Sequence, residues 1–248
     1  MELQTYFLQN PRAALAFSGG VDSSYLMYAA RQFGCDLHAY FIKSSFQPQF
    51  ELNDARRLTE ELHVPLTVVQ TDVLQNSQVA ANDEQRCYYC KTTLFTQLRE
   101  LARKDGYTLL LDGTNASDSF DGRPGMKALQ ELGVRSPLRE CGLTKTEIRQ
   151  LSREAGLFTH DKPSYACLAT RIPTGTKITE SLLQKVEHSE DILFSMGFTD
   201  FRVRFFHNAA KIQLPENQFA LVLKKRQELT KALSPYFEEV LLDLTPRA

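Results

Sequence analysis

Compact apolar runs alternate with amphipathic stretches through the first two-thirds of the chain. Residues 13–17, 37–42, 66–69 and 108–111 are apolar runs of strand length. Residues 23–33, 49–62 and 88–104 have helical periodicity. In the last of these, Leu94, Phe95, Leu98 and Leu101 form a stripe at three- and four-residue spacing, while Arg56, Arg57, Glu60 and Glu61 give the second a solvated face. Such alternation predicts an α/β fold, a parallel sheet with flanking helices. Thr144-Lys145-Thr146-Glu147 is a capping-box pattern that starts a further helix, ending at Gly156. Beyond a Pro- and Gly-containing stretch, the pattern predicts helix 179–196, strands 201–206 and 211–214, helix 218–233 and strand 239–242. This gives a domain over residues 1–175 and a small C-terminal α+β domain over 176–248.

Between the first strand and the first helix lies Ser18-Gly19-Gly20-Val21-Asp22-Ser23-Ser24. Glycines permit a tight turn and close backbone approach to a ligand. Hydroxyls and free N–H groups at a helix start form an anion cradle that the helix dipole assists. The expected ligand is a phosphate group. The absence of a following Gly-Lys-Ser/Thr excludes the Walker A loop. The segment resembles the loop of the PP-loop pyrophosphatases, which cleave ATP to AMP and pyrophosphate. Ser18, Gly19, Gly20, Ser23 and Ser24 are expected to hold the pyrophosphate, and Asp22 to place Mg²⁺. At the end of the 108–111 strand, Gly113, Thr114, Asn115 and Asp118 lie in a turn-rich segment at the ligand-binding end of such a sheet.

Three of the five cysteines carry candidate chemistry. Cys87 and Cys90 start a predicted helix, where a spacing of three puts both thiols on one face. The helix start and flanking Arg86 and Lys91 favour thiolates, which ligate zinc or iron–sulfur clusters. Cys167 lies in a loop with Lys162 and Arg171. Three thiolates on a cubane cluster would leave one iron open. Cys35 reads as a packing residue and Cys141 as incidental. Arg123, Lys162 and Arg171, all in loops, are expected to bind phosphate or carboxylate oxygens. The five histidines show no metal-ligand spacing.

The net charge is −1, which argues against non-specific nucleic-acid binding by a basic surface. No apolar run reaches membrane-spanning length, and the N-terminus has no signal-peptide pattern. A cytoplasmic enzyme is the expectation, with reduced or metal-bound cysteines.

Several segments together resemble the LarE family. They are residues 18–24, 86–91, 112–118 with Arg123-Pro124-Gly125, Ser136-Pro137-Leu138, 145–149, Lys162-Pro163 and Cys167-Leu168-Ala169-Thr170-Arg171-Ile172-Pro173. The last is the most specific, and the resemblance spans residues 13–204. It implies ATP-dependent sulfur insertion into pyridinium-3,5-biscarboxylic acid mononucleotide, for a nickel-pincer nucleotide cofactor. A substrate carboxylate is adenylated, and sulfur attack then gives a thiocarboxylate. One kind of member sacrifices the sulfur of a single cysteine, at the position of Cys167. The other carries three cysteines and a [4Fe-4S] cluster. Cys87, Cys90 and Cys167 put this chain with the cluster kind, with Cys167, Asp22, Arg171 and Lys162 as its catalytic set. Gln213 departs from the Arg-Ile-Glu often found in relatives, which puts any role of a carboxylate there in doubt.

The expected partners are ATP, Mg²⁺, a small nucleotide substrate, and sulfide or another sulfur donor. Self-association into a homo-oligomer is also expected, with no membrane and no nucleic acid. Three other readings stay open: a tRNA thiolation enzyme, an amidating synthetase with the same loop, and a non-enzymatic nucleotide- or zinc-binding regulator.

Overall fold

The computed structural model describes residues 1–119 and 122–247. In chain order its elements are α1 (Leu3–Gln9), β1 (Arg12–Ala16), α2 (Val21–Gln32), β2 (Asp36–Lys43), α3 (Gln49–Glu61), β3 (Leu66–Gln70), α4 (Ser77–Ala81), α5 (Arg86–Lys104), β4 (Leu110–Leu111), α6 (Pro124–Glu131), α7 (Pro137–Glu140), α8 (Lys145–Glu154), α9 (Glu180–Ser195), β5 (Arg202–Phe206), β6 (Ala209–Gln213), α10 (Phe219–Leu233) and β7 (Glu239–Leu242). Two compact units result: residues 1–73 with 84–165, and residues 74–83 with 166–248.

The first unit is the expected parallel sheet, in the order β3-β2-β1-β4. β1 is apolar without alternation because both its faces are covered. Ala13 and Leu15 pack with residues of α1, α2 and α3, whereas Ala14 packs with Leu98 and Ala102 of α5. α1 places Leu3, Tyr6 and Phe7 in the first of these cores. β4 is only two residues long, shorter than its apolar run, and Arg135 continues its pairing. The chain builds outward from β1 through β2 to β3 and then returns to β1's other edge with β4. That reversal is a topological switch point, the place where open α/β sheets bind ligands. The capping box at α8 is present, with Thr144 Oγ1 accepting from Glu147 N–H and the Glu147 carboxylate accepting from Thr144 N–H.

The second unit is the expected α-β-β-α-β arrangement. β5 and β6 pair antiparallel, β6 and β7 parallel. Its core contains Leu193, Phe198, Phe201, Val203, Ile212, Leu229 and Leu233. Its limits differ from the expected break after residue 175. The segment from Ala166 onward belongs to it, held by Arg171 on Glu190 of α9. So does the stretch 74–83. Asn82, fully buried with φ +59°, donates its side-chain amide to the carbonyls of Pro173 (2.8 Å) and Thr176 (2.9 Å). Its own carbonyl accepts from Gly175 N–H at 2.9 Å. No helix among the described residues is long and apolar enough to cross a membrane.

Candidate active site

The loop from Ser18 to Ser24 leaves the carboxyl end of β1 and enters α2. Gly19 has φ +73°, and a Cβ on it would lie 3.1 Å from the Glu51 carbonyl oxygen. Only glycine meets both demands without strain. The Ser18 and Ser23 hydroxyls lie 3.0 Å apart. The Ser18 hydroxyl accepts from Gly20 N–H, and the Ser23 hydroxyl donates to the Gly20 carbonyl. The loop is thus pre-folded, and the first-turn N–H groups of α2 have no intrahelical partner to satisfy them. Ser24 is fully buried, its N–H bonds the Gly20 carbonyl within the helix, and its hydroxyl has no hydrogen-bond partner among the described residues.

The segment after β4 meets this loop. A Cβ on Gly113 would lie 2.8 Å from Ser23 N and 3.0 Å from its Cα. The two loops flanking the switch point are therefore in backbone contact, and only glycine permits it. Asp112 is buried and organises its own segment, accepting from the hydroxyls of Ser136 and Thr114, each at 2.6 Å. Asp118 accepts from Asn115 N–H, and Asn115 from Ser117 N–H. Thr114 and Asn115 are buried. Arg123 lies 3.4 Å from Asp118 in an exposed pair. Thr114, Asn115, Asp118 and Arg123 thus engage one another's segment, while Gly113 makes the direct junction with the phosphate loop.

Two lysines converge on the loop. Lys145 Nζ sits 2.5 Å from Asp22 Oδ2, while Asp22 Oδ1 is buried without a hydrogen-bond partner among the described residues. Lys162 Nζ donates to Asp54 Oδ2 at 2.6 Å and to the Gly19 carbonyl at 3.1 Å. The Lys162 side chain also lies over the Phe50 ring, which packs edge-on against Tyr165. Lys145 and Asp54 escaped the sequence reading. Lys145 carries a sequence signal only in the capping box and in the 145–149 segment, and Asp54 carries none. Nothing local in the chain signals that either side chain reaches the loop.

Cys87 and Cys90 lie in the first turn and a half of α5, with Cys87 exposed and Cys90 partly so. An Arg86 guanidinium nitrogen is 3.5 Å from Cys87 Sγ. Among the described residues no three His, Cys, Asp or Glu side chains cluster as a metal site. Cys167 belongs to the second unit, where it precedes the 3₁₀ turn Leu168–Arg171 and is partly exposed. Arg171 corrects an expectation. It does not present its guanidinium to a ligand but is buried and paired with Glu190 at 2.8 Å, with side-chain exposures of 0% and 2%. Burial also raises the Cys35 thiol to about 11, as befits a packing cysteine, and raises Cys141.

A parallel sheet with a serine- and glycine-rich loop opening its first helix at the switch point, and no Walker lysine, defines a PP-loop nucleotide-binding protein. The asparagine synthase family matches the chain over residues 8–191. The chain is 34% identical over 236 residues to the pyridinium-3,5-bisthiocarboxylic acid mononucleotide synthase of Lactiplantibacillus plantarum, covering 94% of this chain and 86% of that protein. It is 39% identical over 218 residues to an uncharacterized protein of Synechocystis sp., covering 87% and 81%. A probable tRNA sulfurtransferase of Methanobrevibacter smithii matches at 24% over 160 residues, 59% of this chain and 42% of that protein. The chain belongs to the LarE family of ATP-dependent sulfurtransferases, within the PP-loop group.

Proposed function

We propose that this protein adenylates a carboxylate of pyridinium-3,5-biscarboxylic acid mononucleotide and replaces one of its oxygens with sulfur. The observation that carries the reading is the junction of the phosphate loop with the Gly113 segment, with Asp22 and two lysines converging on it. The near full-length match to a synthase of the bisthiocarboxylic nucleotide supports the substrate. The shorter match to the tRNA sulfurtransferase, with a net charge of −1, argues against the tRNA reading.

A carboxylate is ionised at neutral pH and needs no general base to attack the α-phosphate of ATP. What the step needs is alignment and stabilisation of charge on pyrophosphate. The first-turn N–H groups of α2 receive that charge. Asp22 Oδ1, a buried anionic oxygen without a partner among the described residues, suits a Mg²⁺ ion carried in with ATP. Lys145 then exchanges its Asp22 contact for phosphate oxygen, and Lys162 holds Gly19 in place. AMP is a far better leaving group than oxide, so attack of sulfur on the acyl carbon expels it and leaves a thiocarboxylate.

We further propose that the sulfur is replaceable and not the Cys167 sulfur itself. Soft thiolates one helical turn apart at Cys87 and Cys90 have the donor chemistry of an iron–sulfur site, with Cys167 as third ligand. A [4Fe-4S] cluster, if bound, would be held by Cys87, Cys90 and Cys167 and would supply an exchangeable sulfide. Iron and acid-labile sulfide in anaerobically purified protein support this reading, and zinc alone opposes it.

The adenylation step is tested with labelled ATP and the pyridinium substrate. Asp22→Ala and Lys145→Met are expected to lower AMP formation by about a hundredfold or more without altering thermal unfolding. Wild-type AMP release by either variant would remove that residue from the mechanism.

A further inference from the structure

The second unit contains a buried ion pair whose geometry converges on the cysteine segment. The Arg171 guanidinium grips Glu190 with two parallel bonds, Nε to Oε1 at 2.8 Å and Nη2 to Oε2 at 3.1 Å. Its remaining nitrogen, Nη1, donates to the Ala166 carbonyl at 2.8 Å, to the Thr170 hydroxyl at 2.9 Å and, more weakly, to the Cys167 carbonyl at 3.4 Å. The Thr170 hydroxyl in turn donates to the Cys167 carbonyl at 2.9 Å, and Thr170 N–H donates to the same oxygen at 3.0 Å. Glu190 is itself fixed, since Oε1 also accepts from Val203 N–H of β5 at 2.9 Å. From the same strand, Arg204 Nη1 donates to the Thr170 carbonyl at 2.6 Å. Residues from α9 and β5 therefore clamp the main chain on both sides of Cys167, while Cys167 itself is only half buried.

A buried ion pair is a poor device for stability alone. Desolvation offsets its attraction, and apolar side chains of similar volume often serve as well or better. What an Arg–Glu fork supplies is a fixed plane with donors left over, which neither a lysine nor an apolar pair can supply. Here the leftover donors go to the backbone at Ala166 and Cys167. We propose that Arg171 and Glu190 are positioning residues for Cys167, holding its main chain so that the thiol has one direction available for sulfur delivery. This rests on the reading that Cys167 serves the sulfur-transfer site. It also accounts for the spacing between Cys167 and Arg171, which serves the turn and not an external ligand.

The test is the double variant Arg171→Met with Glu190→Met in the full chain, which removes both charges and keeps the volume. Thermal unfolding is expected to stay near wild type. Hydrogen exchange at residues 166–172 is expected to rise by about tenfold or more while the rest of the unit keeps its protection. AMP formation should keep its KM for ATP within about twofold. Sulfur transfer per AMP formed should fall by about ten- to a hundredfold, the scale of a misplaced reacting group. A folded double variant with wild-type sulfur transfer overturns the proposal, whether or not local exchange has risen. Thr170→Val decides the matter where the double variant does not fold. It removes only the hydroxyl that links Arg171 to the Cys167 carbonyl, and is expected to lower sulfur transfer severalfold with unfolding unchanged; wild-type transfer by this variant counts against the proposal. If the wild-type chain transfers no sulfur, the functional reading fails, and unchanged exchange in the double variant then overturns the positioning as well.

Discussion

Gly113 is the tightest single residue of the site. Any side chain there meets Ser23 N at 2.8 Å, and the obstacle is backbone at the start of a helix, which cannot swing aside. Gly113→Ala is expected to cost about 1–3 kcal/mol of stability by overpacking. It should also raise the KM for ATP, because the shift required moves the N–H groups that receive phosphate. Calorimetry and steady-state AMP formation check both, and an unchanged KM would separate this junction from nucleotide binding. At this scale the chain was partly legible. Gly19 and Gly113 could be read as loop glycines, and the Ser18–Ser24 segment as a phosphate loop. The complete burial of Ser24 could not, because the chain does not show which face of α2 the rest of the unit covers. The lysine partners of Asp22 and Gly19 were hidden for a related reason: they come from segments more than a hundred residues further along the chain.

Elements with a clear period or end signal were read nearly residue for residue. β7 and the caps of α8 and α9 show it, because apolar run, capping residue and terminal glycine act locally. α1, α4, α6 and α7 are absent from the sequence prediction. Each is eight residues or shorter, too short for a repeating apolar stripe to stand out, and tertiary contacts maintain them. The setting of Gln213 in β6 explains its residue type. Its amide oxygen accepts from Arg204 Nε while its nitrogen donates to Asp243 Oδ2 at 2.7 Å, and Lys211 lies 2.9 Å from the same carboxylate oxygen. An amide accepts on one side and donates on the other, which a carboxylate cannot do. The Lys211 ammonium, and then the Gln213 amide, hold Asp243 down at about 2. A carboxyl depressed from its unfolded value of about 3.9 adds stability that is complete above that value. The contribution is lost as pH falls through about 4 toward 2. Gln213→Glu places a second carboxylate against Asp243. It is expected to lower the Tm at pH 7 by about 2–5 °C, with the gap to wild type closing below about pH 4 as the carboxylates protonate. A Tm gap that does not change with pH would show that the amide acts by packing and not by charge.

The whole molecule divides where no local signal marks it. Pro173 and Gly175 look like a boundary, yet residues 166–175 belong to the second unit, as does the distant stretch 74–83. The cause is hydrogen bonding between segments far apart in sequence, centred on Asn82. Asn82→Ala strips the donors from the Pro173 and Thr176 carbonyls and removes the side chain that favours a positive φ. It is expected to destabilise the second unit by about 1–3 kcal/mol, visible as a lower denaturant midpoint. AMP formation by the first unit should persist. Loss of AMP formation at the denaturant concentration that unfolds the second unit would mean that the units do not melt apart.

The proposed chemistry is ATP-driven sulfur insertion with a sulfur that can be renewed. The most direct measurement is mass spectrometry of one anaerobic reaction, scoring product and chain together. The mixture contains the iron-loaded protein, ATP, Mg²⁺, sulfide and pyridinium-3,5-biscarboxylic acid mononucleotide. A renewable sulfur is expected to give thiocarboxylate product in excess of one sulfur per chain, AMP in step with it, and a chain of unchanged mass with Cys167 intact. A chain lighter by the elements of hydrogen sulfide, with dehydroalanine at position 167 and no more than one sulfur delivered, would contradict the renewable source. AMP without any sulfur-containing product would contradict sulfur insertion itself.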